Sequence, residues 1–281
     1  MRRHRTGQLL RLITVACCLI LLASACTANL TSVRDFANTS FDAAQYSQLV
    51  VVYVETPTRL KRYEPSSQWP ELDRQASQRQ AQRQQLLLRH TLVKEYMSAL
   101  GQLAADGLPI YDNELDELGK ALEDAKFADE GEATAFAAVS KLLVTAATDR
   151  WRRDKLESLI EQSNAPFQVV VGAMAKTVEQ AFTGDAAIER IALDKYYTTL
   201  QQEGKDPAGL AALAEWRAFR TNELVTHDQA IRNYVVVLKT IGQGHQKLYE
   251  TRDQLSKAEV EADIQRYANR LKEAFNAVKG L

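Results

Sequence analysis

Long intervals without helix-breaking residues constrain the fold of this chain more than any other feature. Only 12 glycines and 6 prolines occur in 281 residues, and residues with high helix propensity fill the intervals between them. Apolar residues recur in these intervals at spacings of three and four, which is the period of a helix with one buried face. The sequence therefore predicts an all-α fold, which we expect to be an elongated antiparallel helical bundle with long, partly coiled-coil-like helices.

The most regular pattern lies near the C-terminus, where spacings of three and four alternate without a break, as in a heptad repeat. We call these ten residues the seam: Leu224, His227, Ile231, Tyr234, Leu238, Ile241, His245, Leu248, Arg252 and Leu255. After a slip, the pattern resumes from Val260 to Val278. We expect one long helix with a bend here, weakened at Gly242 and Gly244, and a seam that is free to engage a partner or a second copy.

Prolines and charged residues set the other expected boundaries. Pro57 should end the first helix, because a proline disfavours helical geometry in the residue before it, and Pro166 should start a new helix in the same way that Pro207 does after its N-cap Asp206. The charged run 149–155 should lie on a solvated helix face, and Gly184 should mark a kink. The expected helices cover residues 30–57, 71–105, 115–125, 132–163, 166–200 and the segment from 207 onward.

The N-terminus has the layout of a signal peptide. Four arginines and no acid precede residue 12, an almost wholly apolar run follows up to Ala23, and the small residues Ser24 and Ala25 come next. The apolar run is too short for the roughly 20 residues of a spanning helix. We therefore expect residues 1–25 to be removed.

The segment Leu21–Cys26 resembles the lipobox of bacterial lipoproteins, in which the cysteine is joined to diacylglycerol before the signal peptide is cut. Ala23 stands where that family usually has leucine or valine. Cys17 and Cys18 are alternative attachment sites, and an ordinary secretory signal with an incidental cysteine is the other interpretation. The resemblance implies lipid attachment at Cys26, insertion of its acyl chains, palmitate among them, into a bilayer, and, because Thr27 is not aspartate, a place on the periplasmic side of the outer membrane.

All three cysteines lie at or before residue 26, so the rest of the chain cannot form an internal disulfide.

We divide the whole chain into the signal peptide, 1–25, a lipidated N-terminus with the first helix and a linker, 26–70, and a helical bundle domain, 71–281. Removing four arginines from 35 basic residues against 36 acidic ones leaves a net charge of −5. An acidic chain of this kind is a poor partner for nucleic acid.

Three histidines outside the signal peptide, His90, His227 and His245, all fall on apolar helix stripes. Histidines that face one another in a bundle core can hold a metal or a haem. However, His227 and His245 lie about 27 Å apart along a straight helix, and no Glu-x-x-His pair is present. Hydrogen bonding to a neighbouring helix is the simpler interpretation, and we expect neither a cofactor nor an enzyme.

A wider resemblance rests on Ala165-Pro166, on Asp206-Pro207 and on the segment Thr240–Leu248. These motifs look like those of a loose group of uncharacterised proteobacterial helical lipoproteins, which implies the architecture but no activity. The expected function is a membrane-anchored periplasmic lipoprotein that acts as a helical binding or scaffolding module for an envelope protein partner, with homodimerisation through the seam as a further hypothesis. The alternative is a bundle that holds a small ligand, metal or haem through His90, His227 or His245.

Overall fold

A computed structural model describes residues 30–44, 47–109 and 130–279. This part of the chain contains helices and turns and no β-strand, so the all-α prediction is confirmed. The helix expected over residues 115–125 lies outside the described residues. The α-helices are α1 (Thr31–Ala44), α2 (Gln48–Leu60), α3 (Trp69–Ala104), α4 (Glu130–Thr148), α5 (Leu156–Thr177), α6 (Thr183–Glu203), α7 (Pro207–Glu250) and α8 (Ala258–Lys279), with a π-helical turn at Val178–Phe182 between α5 and α6.

The residue pairs between α3, α5 and α7 show how these helices run. His90 and Tyr96 of α3 contact Tyr234 and His245 of α7, in the same order, so α3 and α7 are parallel. Helix α5 runs the opposite way to α7. Its pairs with α7 are Asn164 with Gln246 and Gln168 with Gly242.

Helix α8 folds back on α7, which corrects the expectation of one long bent helix. Lys247 forms an ion pair with Asp263 at 2.9 Å, and Asn233 bonds the carbonyl of Ala277 at 3.4 Å, so the residue numbers fall in one helix as they rise in the other. The reversal is made by a short 3₁₀ turn at Arg252–Gln254. Leu255, directly after this turn, is buried. Its apolar side chain therefore fits the spacing of the seam, although the backbone there is no longer part of α7.

Helix α7 is continuous through both of its central glycines, and one of them makes the packing possible. A methyl group on Gly244 would lie 2.3 Å from Cε2 of Phe36, a fully buried ring on α1. Only the missing side chain lets α1 cross α7 so closely. These glycines therefore mark close helix contacts and do not interrupt the helix.

The seam is not available to a partner, and that expectation is wrong. Eight of its ten residues are buried, and only His227 and Arg252 are partly exposed. Because α7 packs against α1, α5 and α8 over the second half of its length, its apolar face is covered within the same chain. Side chains of α1 to α5, α7 and α8 form one apolar core.

Neither internal proline ends a helix. Pro57 lies inside α2 and Pro166 lies inside α5. In α2 the carbonyl of Tyr53, which the amide of residue 57 would bond in a regular helix, instead accepts a hydrogen bond from Arg79 of α3 at 3.1 Å. A neighbouring helix thus satisfies the group that proline leaves unpaired.

The break expected at Pro166 occurs earlier, in the charged run 149–155. Arg150 has a φ of 53°, the amide of Trp151 bonds the carbonyl of Ala146 and that of Arg150 bonds the carbonyl of Ala147. This pair of bonds is the Schellman motif that ends many helices. The run is therefore a turn between α4 and α5, not a helix face.

Three turns meet at one end of the molecule, which we call the proximal end. They are residues 105–109, 149–155 and 251–257, and Leu30 lies at the same end because Ala37 of α1 packs at Gly101 near the end of α3. Arg153 joins two of these turns by bonding the carbonyl of Ala104 at 3.0 Å. The first described residue therefore lies beside the proximal end.

The α6–α7 hairpin extends from the opposite end. Asp206 caps α7, as predicted, by accepting a hydrogen bond from the amide of Gly209 at 2.7 Å. No residue from 198 to 223 is buried, and we call this segment the distal hairpin. At 1.5 Å per residue, its Trp216 lies about 48 Å along α7 from Leu248.

Candidate functional surfaces

His90 is held inside the bundle by groups from two other helices. Its Nδ1 accepts a hydrogen bond from the Tyr234 hydroxyl at 2.7 Å, and the backbone of Ala44 bonds the ring as well. Burial lowers the pKa of His90 to about 4, so the ring is neutral near pH 7. Protein groups already occupy the nitrogens that a metal would need.

His245 lies at the centre of a longer polar chain. The Tyr96 hydroxyl donates to Nε2 of His245 at 2.5 Å, and Nδ1 of His245 donates to the side-chain oxygen of Asn164 at 3.0 Å. Burial lowers the pKa of His245 to about 3. The chain continues from Asn164 to Gln246 at 2.9 Å and from Gln246 to Glu250 at 3.0 Å, so it reaches the surface.

His227 differs from the other two histidines because its Nδ1 is buried and has no hydrogen-bond partner among the residues that the structure describes. It lines a cavity of about 10 Å³ together with Arg59 and Glu189, which pair through two hydrogen bonds of 2.9 and 2.8 Å. A cavity of this volume holds at most one water molecule. It cannot admit a haem or an organic ligand without rearrangement.

The three histidines are therefore not brought together. Within residues 30–44, 47–109 and 130–279, no group of three or more His, Cys, Asp or Glu side chains is placed to hold a metal ion. In the same ranges no helix is both long and apolar enough to cross a membrane. Cys26, the expected site of lipid attachment, lies outside the described residues.

A groove of about 450 Å³ opens on the surface between α5, α7 and α8. Its volume is in the range of small-molecule sites. Gln168 crosses its wall and donates to the carbonyl of Gly242 at 2.9 Å, and Gln246 and Glu250 from the polar chain of His245 also line it. The buried network therefore fixes one wall of the groove.

The distal hairpin carries large apolar side chains that nothing in the described chain covers. Trp216 and Phe219 of α7 are 58% and 63% exposed. Phe219 lies on the side of α7 away from Arg217, which bonds Gln201 of α6 at 2.7 Å, and Trp216 lies between Phe219 and Leu213, which contacts α6. Helix α6 adds exposed apolar residues of its own nearer the body of the molecule. These are Ile188 and Ile191.

Sequence reasoning missed both of these surfaces. Apolar residues on more than one face of the segment 207–223 were the available signal for the hairpin, since one partner helix can cover only one face. The groove had no such signal, because its walls come from three helices that only the tertiary fold brings side by side. Comparisons with protein families, with curated proteins and with solved structures find no match to this chain.

Proposed function

We propose that this protein is a lipid-anchored module of the bacterial envelope that binds a protein partner through its distal hairpin. The proposed molecule is an elongated, antiparallel bundle on the periplasmic side of the outer membrane, and its role is binding or scaffolding, not catalysis. The observation that carries the proposal is the exposed pair Trp216 and Phe219, because large uncovered apolar side chains at the end of a hairpin mark interaction surfaces.

The place of the chain's first described residue supports the proposed orientation. Cys26 precedes Leu30 by four residues, which span at most about 14 Å when extended. A lipid on Cys26 would hold the proximal end close to the bilayer. Trp216 and Phe219 lie about 48 and 44 Å along α7 from Leu248, which is near that end. The hairpin is therefore suited to a partner that lies away from the anchoring membrane.

A protein surface is a better partner for the hairpin than lipid, because its charges are mixed. Basic side chains flank the aromatic pair at Arg217 and Arg220, and acidic ones at Glu215 and Glu223. A membrane-binding face usually has a basic polar side, whereas an apolar centre with a polar rim is typical of protein interfaces.

Photo-crosslinking in cells tests this proposal. A photoreactive amino acid in place of Phe219 should give one or a few defined protein adducts, and adding Trp216→Ser should remove them. Val144, an apolar side chain of α4 that is 43% exposed, provides the matched control position and should give none. A second copy of this chain in the adduct would identify the homodimer. Adducts with lipid alone, or the same adducts from position 144, would contradict the proposal.

The anchor is tested separately by fatty-acid labelling. Cys26→Ser should abolish incorporation of labelled palmitate and release the protein from the membrane fraction. Labelling that persists would place the lipid on Cys17 or Cys18. A precursor that is cut but never labelled would establish an ordinary secretory signal and remove the membrane from the proposal, while the hairpin experiment would still stand.

The alternative function, a ligand held by His90, His227 or His245, has less support. The first and last of these are bonded on both sides within the protein, and the cavity at His227 is too small for an organic ligand. The groove between α5, α7 and α8 offers a better place for a small ligand.

A further inference from the structure

The groove between α5, α7 and α8 is kept open by small residues on its floor. Gly172 lines it, and a methyl group added there would meet no atom within 4 Å. Gly242 lines the opposite helix, and a methyl group there would meet Gln168 at 3.1 Å. Larger residues at these two positions would fill the space. The two glycines thus add no side chain to the groove.

The floor of the groove is apolar, and its shape is fixed by buried packing. Val171 and Leu238 belong to the main core, and Tyr267 packs against that core from α8. The wall on the α7 side is braced by the bond from Gln168 to Gly242 and by the contact of Asn164 with Gln246. A preformed apolar floor of this kind binds a ligand with little loss of conformational entropy.

A second, smaller lobe of about 320 Å³ adjoins the groove, and Lys247 and Tyr267 line both. This lobe contains three cations, Lys247, Arg266 and Arg270, and one acid, Asp263. Asp263 pairs with Lys247 at 2.9 Å and also with Arg266. Within the described chain Arg270 forms no ion pair, so one carboxylate faces three cations.

We infer that the groove and this lobe form one binding site for a small amphipathic anion. Its apolar body would lie on the floor beside Gly172, and its carboxylate or phosphate would be bound by Arg270 and Lys247. The ligand should be an anion because the residues of the lobe carry an excess of two positive charges. Guanidinium and ammonium groups are the usual partners of carboxylate and phosphate. This site is separate from the distal hairpin and does not depend on the proposed function.

Equilibrium dialysis tests this assignment with the full-length chain in phosphatidylcholine nanodiscs, against empty nanodiscs as the blank. The probes are octanoate, octyl phosphate and, with the opposite charge, octyltrimethylammonium. We expect one bound octanoate or octyl phosphate per chain and no specific binding of octyltrimethylammonium. The anion could be a bilayer lipid or a soluble molecule, and nanodiscs that contain phosphatidylglycerol distinguish the two. Weaker binding of the probes in these nanodiscs would identify a bilayer lipid as the ligand, and unchanged binding would identify a soluble ligand.

Two glycine variants provide the matched pair. Gly172→Phe places a ring in the groove and should abolish binding of both anions. Gly184→Phe, on α6, also projects into open space but lines no part of the groove, and it should bind like the unchanged chain. Arg270→Glu should weaken binding roughly tenfold or more, the cost of losing one charge-assisted contact.

Either of two results would overturn the inference. One is equal binding of the anionic and cationic probes, which would mean that the charge excess does not select the ligand. The other is an equal effect of Gly172→Phe and Gly184→Phe. Thermal unfolding of each variant verifies that the fold is intact, and both glycine changes should leave it so because neither new side chain meets a neighbour at its first carbon.

Discussion

The two halves of α7 have the same helical geometry but different surroundings. From Leu224 to Leu248 the helix is packed against α1, α5 and α8, is hydrogen-bonded to α3 through Tyr234 and His245, and holds all of its buried residues. From Pro207 to residue 223 it is covered on one side only, by α6. The comparison separates stability from binding: we expect substitutions in the second half to unfold the protein, and substitutions in the first half to change only what it binds.

Phe36→Ala is expected to have the largest effect, because the ring fills the space over Gly244 in the buried half. Loss of a fully buried phenylalanine should lower the free energy of unfolding by about 4 kcal/mol. Phe219→Ala in the exposed half should change it by less than about 0.5 kcal/mol. Urea denaturation followed by circular dichroism measures both. Equal losses would remove the distinction between the two halves.

Acidification should act on the buried half through His90 and His245. Their pKa values in the folded protein, about 4 and about 3, lie below the ordinary 6.5. Between pH 6.5 and 5 the unfolded chain therefore binds more protons than the folded one, and the free energy of unfolding should fall by about 3 kcal/mol.

A variant that lacks one of the two histidines is the control for this pH dependence. His90→Gln should lose about half of this pH dependence, since only one of the two histidines then remains. NMR titration of the unchanged chain gives an independent result: the ring signals of His90 and His245 should not shift above pH 5. Protonation of either ring near pH 6.5 in the folded protein would contradict the prediction.

Gly244→Ala should cost about 2 kcal/mol, because the new methyl group would overlap Phe36 and force the helices apart. Gly172→Ala is the matched change in α5, where the methyl group meets no neighbour. It should be neutral or stabilising by up to about 1 kcal/mol, because alanine favours the helix. Thermal unfolding compares the two. A similar effect of both variants would mean that Gly244 is not a close-packing position.

Trp216→Ser should have the smallest effect on stability, within about 0.5 kcal/mol, although it should remove the crosslinks formed from position 219. A free energy of unfolding that drops by several kcal/mol would show that the hairpin belongs to the core. This variant therefore provides the sharpest separation of binding from stability.

The boundaries that depend on local chemistry could be predicted from the sequence, as the N-cap at Asp206 and the extent of α3 illustrate. Pro57 could not be interpreted locally, since the group that compensates for it belongs to Arg79 on another helix. The break after α4 was missed for a related reason: Arg150 has the positive φ that glycine usually supplies at a helix end.

The candidate sites divide in the same way. The stripe position of His90 and His245 was visible in the sequence, but their tyrosine and asparagine partners lie more than 80 residues away. The groove was not visible in the sequence because its residues come from three helices that only the tertiary fold brings side by side. The aromatic pair of the hairpin was present in the sequence, but its exposure depends on which faces of α7 the neighbouring helices cover.

The sequence by itself determined that this chain is helical and which face of each helix is apolar, because both depend on residues within one or two turns of each other. Only the tertiary structure decided what covers those faces. A heptad pattern specifies a seam but not its partner, and here the partners are helices of the same chain. The surfaces left for binding are those that no helix of the described residues covers.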